Sequence, residues 1–435
     1  MKLRPFEIGL VILFVALAIG SLVILSIYEG GGKSSDDIVV IGPVTIWGTI
    51  PQEVMNETIS KIAQSDKQYS DVTYRYYSPE QFDSSILNAL ADGNGPDLVL
   101  LPHEKLVDMR RRIQPVSYES FPLVDLRNMY IDGAEIFALN DGLYAYPIAV
   151  DPLMMYWNRD ILSTEGFLTP PTTWEALLNS YFPKLIKRDF DRSIVRSVVA
   201  MGEYDNVRNS FAIMSALLLQ SGSNGVIATD NGRYQVQLQE ARTGNSNPLR
   251  VTADFYTRFS KPSNTLYSWN RAFRDDRSVF IAENLAFYFG YGSEARELER
   301  INPNLNFDVA EIPQGASDTL RRTYGKFYGI SILNSSDNKL GASTVMFNLA
   351  GLVNSEQIAM GSNMVPVRRN SIAGGSNDKY GRVIYQSASV ALGWLNPDRE
   401  ATDRIFSTMT GDINENRRDL SQAVNDSVNR LEREY

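Results

Sequence analysis

Residues 95–102 read Gly-Pro-Asp-Leu-Val-Leu-Leu-Pro, a continuous apolar run closed at both ends by chain breakers. A run this short with no polar side predicts a strand covered on both faces, because an outward-facing position would carry a polar residue. Two lighter strands precede it. Residues 38–47 (IVVIGPVTIW) are β-branched and alternating, and residues 72–77 follow after a helical stretch over 52–64. A second helical stretch, Pro79–Ala91, places Phe82, Ile86, Leu87 and Leu90 at helical spacing. Strands alternating with helices of this length predict a parallel α/β sheet, in which ligands bind outside the carboxyl ends of the strands. Trp47 and the Leu101-Pro102-His103 corner end the first and third strands, where such a cleft opens.

Beyond these units the chain runs on to 435 residues, enough for two domains. It contains no cysteine, which excludes disulfides, thiol catalysis and thiolate metal sites, and also the lipidated cysteine that anchors many surface proteins. The one histidine, His103, cannot by itself make an imidazole zinc site. It reads as a rim residue, exposed by its polar neighbours. Net charge is −9, and the short basic runs at 110–112 and 321–322 read as solvated faces rather than a nucleic-acid footprint.

Residues 8–27 carry no charge and are long enough to cross a bilayer core as a helix. Lys2 and Arg4 precede them and acids dominate after them, which leaves the N-terminus cytoplasmic and the rest outside. A cleaved signal peptide has a shorter apolar core and a small-x-small site. The following Tyr-Glu-Gly-Gly-Gly-Lys-Ser-Ser lacks a clean A-x-A, so the expectation is an uncleaved single-pass anchor in the cell membrane, then a flexible tether.

Past residue 102 the pattern changes. Residues 146–162, YPIAVDPLMMYWNRDIL, alternate along a strand with one acid at the centre. Val150, Pro152, Met154 and Tyr156 share one face, and Asp151, Leu153, Met155 and Trp157 the other. An ionised Asp151 in such a strand needs a partner, and a ligand hydroxyl or a backbone turn would both serve. Pro170-Pro171-Thr172-Thr173-Trp174-Glu175 starts a capped helix, with Trp174 as packing. Ser210–Gln220 and residues 342–352 read as helices, residues 307–312 and 327–333 as strands, and the tail from Arg399 as a polar helix. Asp97 reads as a clamp on neighbouring backbone N–H groups.

These pieces, in this order, resemble the extracellular solute-binding proteins of ABC importers, the class typified by the maltose-binding protein. GPDLVLLP, YPIAVDPLMMYWNRDIL, PPTTWEAL, FAIMSALLLQSG, LYSWNRAFRDDRSVFIAENLAFYFGYGSE, FDVAEIPQG, YGKFYGISI, MVPVRRN and LGWLNP follow the family order. The resemblance implies an α/β, two-lobed clamshell of the periplasmic-binding-protein-like class II kind, here preceded by a transmembrane helix. Residues 1–28 would be the cytoplasmic start and anchor and 29–37 the tether. Lobe one would comprise 38–147 plus 307–365, and lobe two 148–306 plus 366–435. It further implies capture of a small solute, most readily an oligosaccharide, and its delivery to the transmembrane subunits of an ABC permease, with no cofactor. Trp47, Tyr146, Asp151, Tyr156, Trp269, Tyr291, Tyr328 and Trp394 are the ligand-contact candidates, because aromatic faces stack on sugar rings while polar tips bond hydroxyls. Tyr324 sits with Tyr328 beside a lobe crossing, and Lys326 and Arg368 are available for a single negative group. The anchor departs from the family, whose Gram-positive members use a lipidated cysteine. The alternatives are a sensor or surface-interaction protein that keeps the fold without transport, and a carboxylate-based glycoside hydrolase. No nucleophile elbow, metal-binding helix or phosphate loop supports an enzyme.

Overall fold

The structure is a computed structural model that describes residues 41–435 except 230, 231, 243 and 245. The expected anchor and tether lie outside the described residues. Among the described residues no helix is long and apolar enough to cross a membrane.

Three parallel strands begin it: β1 (Val44–Gly48), β2 (Val72–Tyr76) and β3 (Leu98–Pro102), linked by helices α1 (Gln52–Ser65) and α2 (Pro79–Ala91). β1 lies between the other two. Leu98 to Leu101 are all fully buried, as a run with no polar side requires. Asp97 ties β3 down: its carboxylate accepts the Thr45 N–H at 2.9 Å and the Ser336 hydroxyl at 2.6 Å. Pro79 occupies the first turn of α2, where its missing N–H costs nothing. Phe82 and Ile86 are buried, but Leu87 is 40 % exposed, so the apolar stripe is narrower than its spacing predicts.

The second part of the chain adds β4 (Tyr146–Asn158), β5 (Ile194–Val199), the hairpin β6 (Ser223–Ala228) and β7 (Tyr234–Ala241), then β8 (Leu285–Tyr291), β9 (Phe307–Glu311) and β10 (Thr323–Leu333). β4 and β10 organise the molecule. From Tyr146 to Pro152, β4 pairs antiparallel with β10, which also pairs with β3. From Leu153 to Asn158 it changes neighbours and pairs with β8 and β9. The sheet path is therefore β2–β1–β3–β10–β4–β8–β5, two α/β halves joined by crossing strands. All thirteen residues of β4 are buried, so the one-sided alternation expected there has no solvent face: the strand runs through the interior of both halves.

Helices cover the sheet. In α3 (Ser210–Gln220) ten of eleven residues are buried, which matches a helix apolar on all sides. The single helix expected over 342–352 is two, α4 (Lys339–Leu349) and α5 (Leu352–Gly361), with Gly351 turning between them in an extended conformation. Last come α6 (Arg399–Asn414) and α7 (Leu420–Leu431). Residues Gly42–Tyr435 form a compact unit by themselves.

Candidate functional site

The crossing of β4 and β10 brings the strand ends of both halves together. Asp151 lies opposite Lys326 in the β4–β10 register, two residues before Leu153, where β4 changes partners. Its carboxylate accepts the Ser293 N–H at 3.0 Å and the Ser293 hydroxyl at 2.6 Å. Burial in a site with no adjacent cation strong enough to offset it pushes Asp151 up to about 7, and the two Ser293 bonds only partly oppose that rise. Ser293 belongs to the short turn that follows β8. The turn is held from below, where Tyr156, fully buried, donates its hydroxyl to the Tyr291 carbonyl at 2.6 Å. Glu294 also accepts the Tyr291 N–H at 2.8 Å, so the Tyr291 backbone is fixed on both sides.

From the other half comes Glu104, just past the carboxyl end of β3 and 4 % exposed. It accepts the Tyr324 hydroxyl at 2.6 Å, and Lys326 Nζ and Arg399 Nη1 lie 3.5 and 3.2 Å from its oxygens. Burial alone would raise its pKa, but the two cations outweigh it and hold Glu104 at about 2. Lys326 Nζ also stands 4.9 Å from the centre of the Tyr291 ring. Arg399 is placed by the Asp398 cap at the start of α6 and lies flat on Phe211 of α3, its guanidinium carbon 3.9 Å from the ring centre. The cluster thus joins Glu104 of the first half to Arg399 and Tyr291 of the second through Lys326 on the crossing strand.

His103 is fully buried, which corrects the exposed rim position expected from its neighbours. Its Nδ1 accepts the Phe327 N–H at 3.1 Å, and burial lowers its pKa to about 4, so the ring is neutral. The polar residues around it in sequence point elsewhere: the turn at His103 directs the imidazole under β10 while Glu104 faces the crossing.

A cavity of about 1040 Å³ opens beyond the Asp398 cap, lined by Val107, Arg110, Tyr144, Tyr234, Pro397, Asp398 and Tyr435 among others. Arg110 spans it. Its guanidinium donates to the Gly232 carbonyl at 3.2 Å and to the Tyr234 hydroxyl at 3.4 Å on the β6–β7 hairpin, and to Asp141 at 3.2 Å on its own side.

The eight candidates from the sequence divide. Asp151, Tyr291 and Tyr328 stand at the crossing, where Tyr328 pairs with Ala149 and Pro102. Trp47, next to last in β1, is 7 % exposed and packs on Tyr77 with the rings tilted by 45° and their centres 4.8 Å apart, and Arg75 covers both rings at 5.5 and 5.0 Å. Trp47, Glu104 and Tyr291 lie at the ends of β1, β3 and β8, whereas Asp151 and Tyr328 lie within β4 and β10 at their crossing. Tyr156 lies behind the site and props the Tyr291 turn. Tyr146 lies at the far end of the β4–β10 pairing, between Phe121 and Phe347. Trp269 is fully buried, stacked on Phe273 and bonded to Asn206 Oδ1 at 3.0 Å. Trp394 is 3 % exposed, bonded to Ser215 at 3.0 Å and packed on Phe211, so it backs Arg399 at one remove. Glu104, Ser293 and Arg399 were not among the candidates. Glu104 carried a signal in the sequence, an acid directly after a buried strand; Arg399, in the first turn of a polar helix, carried none.

A sheet continuous through two α/β halves, with polar side chains from both converging where the long strands cross, defines a two-lobed binding protein. The sequence profile of the bacterial extracellular solute-binding proteins matches residues 53–342. The chain belongs to that family, the solute receptors of ABC importers. A maltodextrin-binding protein of Bacillus subtilis (strain 168) is 25 % identical over 122 residues, a stretch covering 26 % of this chain and 27 % of that relative, so the match spans about a quarter of its length. The fold is shared with a cyclo/maltodextrin-binding protein solved with maltotetraose, at TM-score 0.70, 14 % identity and coverage of 90 % of this chain and 96 % of that one. It is likewise shared with the sugar-binding protein MalE of Xanthomonas citri, at TM-score 0.69, 17 % identity and coverage of 90 % and 97 %.

Proposed function

We propose that the protein is a membrane-anchored receptor that captures a carbohydrate between its lobes and hands it to an ABC permease. In this reading residues 8–27 hold it in the membrane by a single pass, with the ectodomain outside, which raises its effective concentration at the permease without a new contact. The lobes in this reading are 38–147 with 307–365 and 148–306 with 366–435. The observation that carries the reading is the convergence of Glu104, Lys326, Arg399, Asp151 and Tyr291 from both halves at the strand crossing. Two carboxylates and two cations there offer hydroxyl groups both acceptors and donors, and the Tyr291 ring offers a face for sugar C–H groups. The maltodextrin-type solutes of the similar proteins make a glucan the first solute to try.

The test is the thermal midpoint of the Gly42–Tyr435 unit against sugars, polyols, peptides and amino acids. A solute bound only by the folded state adds ~2.7 kcal/mol at a hundredfold excess over Kd. A rise with maltotetraose or another saccharide, lost in Glu104→Gln and in Tyr291→Ala, supports the reading. A rise with peptides alone, or a flat response to the whole panel, rejects a carbohydrate receptor.

A further inference from the structure

The surface of α4 and α5 carries an uncovered apolar face. Leu340 is 64 % exposed, Phe347 50 %, Leu352 44 %, Val353 72 % and Met360 58 %. Leu340 and Phe347 are seven residues apart, as are Val353 and Met360, so each pair shares one side of its helix. The opposite side of α5, with Ser355, Ile358 and Ala359, is buried. Phe347 meets Tyr146 edge-on at 5.0 Å, which fixes its ring with the other face open. Single exposed apolar residues are ordinary, but a cluster on consecutive helices marks a contact surface. Leu168 and Phe190 are also exposed, but they stand in separate loops of the other half.

The place where the chain enters the structure selects the occupant. The Asn338 side chain donates to the Pro43 carbonyl at 3.0 Å and, through its oxygen, caps α4. The chain therefore arrives at the N-terminal end of α4, where Leu340 is the second residue. Residues 29–40, which separate the expected anchor from Ile41, span at most ~40 Å even at full extension. With residues 8–27 in the bilayer, the membrane surface is then within a short reach of this face.

We propose that the apolar face of α4 and α5 rests in the interfacial layer of the membrane that holds the anchor, a proposal that depends on the anchored reading above. Leu340, Phe347, Leu352, Val353 and Met360 enter the boundary between headgroups and acyl chains, as the apolar side of an interfacial helix does. Lys339 and Asp337, both exposed, flank the first of them with opposite charges, so the contact is apolar and insensitive to salt. The receptor would then lie on its first lobe, presenting a fixed orientation to the membrane.

The chain has no cysteine, so single probes are unambiguous. Full-length Val353→Cys and Phe190→Cys proteins, each labelled with a polarity-sensitive dye, are reconstituted into phosphatidylcholine–phosphatidylglycerol vesicles containing nitroxide-labelled lipid. The expected result is at least threefold stronger lipid quenching at 353 than at 190, unchanged between 50 and 500 mM salt. Equal quenching at the two positions overturns the proposal. So does protection of position 353 that needs no lipid and grows with protein density, which assigns the face to a second copy. Protection that requires an added permease overturns it too. A chain that fails to float with the vesicles removes the anchor itself and the proposal with it, and flotation reports that failure separately from quenching.

Discussion

Arg399 Nη1 lies 3.2 Å from Glu104 Oε1, joining residues 295 positions apart in the chain and on opposite sides of the strand crossing. The carboxylate has no water to fall back on, since Glu104 is 4 % exposed, whereas the Arg399 side chain is 23 % exposed. Removing the carboxylate leaves two cations, Lys326 and Arg399, facing a neutral group.

Glu104→Gln is therefore expected to lower unfolding stability at pH 7 by about 3–5 kcal/mol, the usual cost of breaking a buried pair by taking one partner. The sign with pH follows from a pKa held at about 2 in the folded chain against an ordinary 4.5. The stabilisation is fully present above about pH 4.5 and disappears as pH falls toward 2. Urea midpoints at pH 7, 4 and 2.5 should converge for wild type and variant. Parallel curves with a constant gap would show that Glu104 stabilises by packing alone.

Asp151 acts in the opposite direction. Its pKa is raised from 3.8 to about 7, so the folded state holds a proton that the unfolded chain gives up earlier. The associated stability is complete below about pH 4 and is lost as pH rises through 7, on the order of 4 kcal/mol for a shift of this size. Asp276, also buried and pushed up to about 7, adds a second contribution of the same sign. Asp151→Asn should flatten roughly half of the decline between pH 4 and 8 and leave the variant the more stable protein at pH 8. An unchanged slope would mean that Asp151 ionises normally in the folded chain.

For Trp394 the structure turns an expected solute contact into a question that two substitutions resolve. The indole is 3 % exposed, donates to Ser215 at 3.0 Å and lies against Phe211, on which Arg399 rests. Trp394→Ala should cost about 3–5 kcal/mol of stability through the cavity it leaves. Trp394→Phe, which keeps most of the volume, should cost about 1 kcal/mol for the lost bond and leave saccharide affinity within threefold. An affinity loss of a hundredfold or more in the stable Phe variant would restore Trp394 to the solute surface.

How much of this was legible in the sequence depended on what kind of signal each residue leaves. β3 and α3 announce themselves because an uninterrupted apolar run has only one stable environment, and Pro79–Ala91 because its start and period agree. The central position of Asp151 was legible too, as the one charge in a buried strand. Its partner Ser293 was not: it lies 142 positions away, and no local pattern marks a hydroxyl that meets a carboxylate across a turn. Arg399 was invisible for the same reason. Its helix is amphipathic and charged like any surface helix, and only the tertiary placement of Phe211 beneath it turns the side chain inward. Trp269 and Trp394 show the converse, since an aromatic in a family-like motif looks the same in sequence whether its ring faces solute or core.

Arg110 offers the sharpest test of how the halves are held together. It belongs to the Glu104 side of the molecule, yet two of its hydrogen bonds go to Gly232 and Tyr234 on the β6–β7 hairpin across the cavity. Its ring contacts are likewise shared, with Tyr144 at 5.5 Å and Tyr234 at 5.7 Å. If the lobes open about the β4–β10 crossing, these bonds exist only in the closed arrangement, and their loss shifts the population toward the open one. With the guanidinium side chain 16 % exposed, the two bonds together contribute about 1–2 kcal/mol. That corresponds to about a 5- to 30-fold weaker apparent solute affinity in Arg110→Ala. Tyr234→Phe, which keeps the ring and loses one acceptor, should fall between variant and wild type. Scattering from the solute-free proteins should show a larger radius of gyration for Arg110→Ala, returning to the wild-type value at saturating solute. Equal radii and equal affinities for all three would mean that the hairpin contact does not follow the lobes as they move.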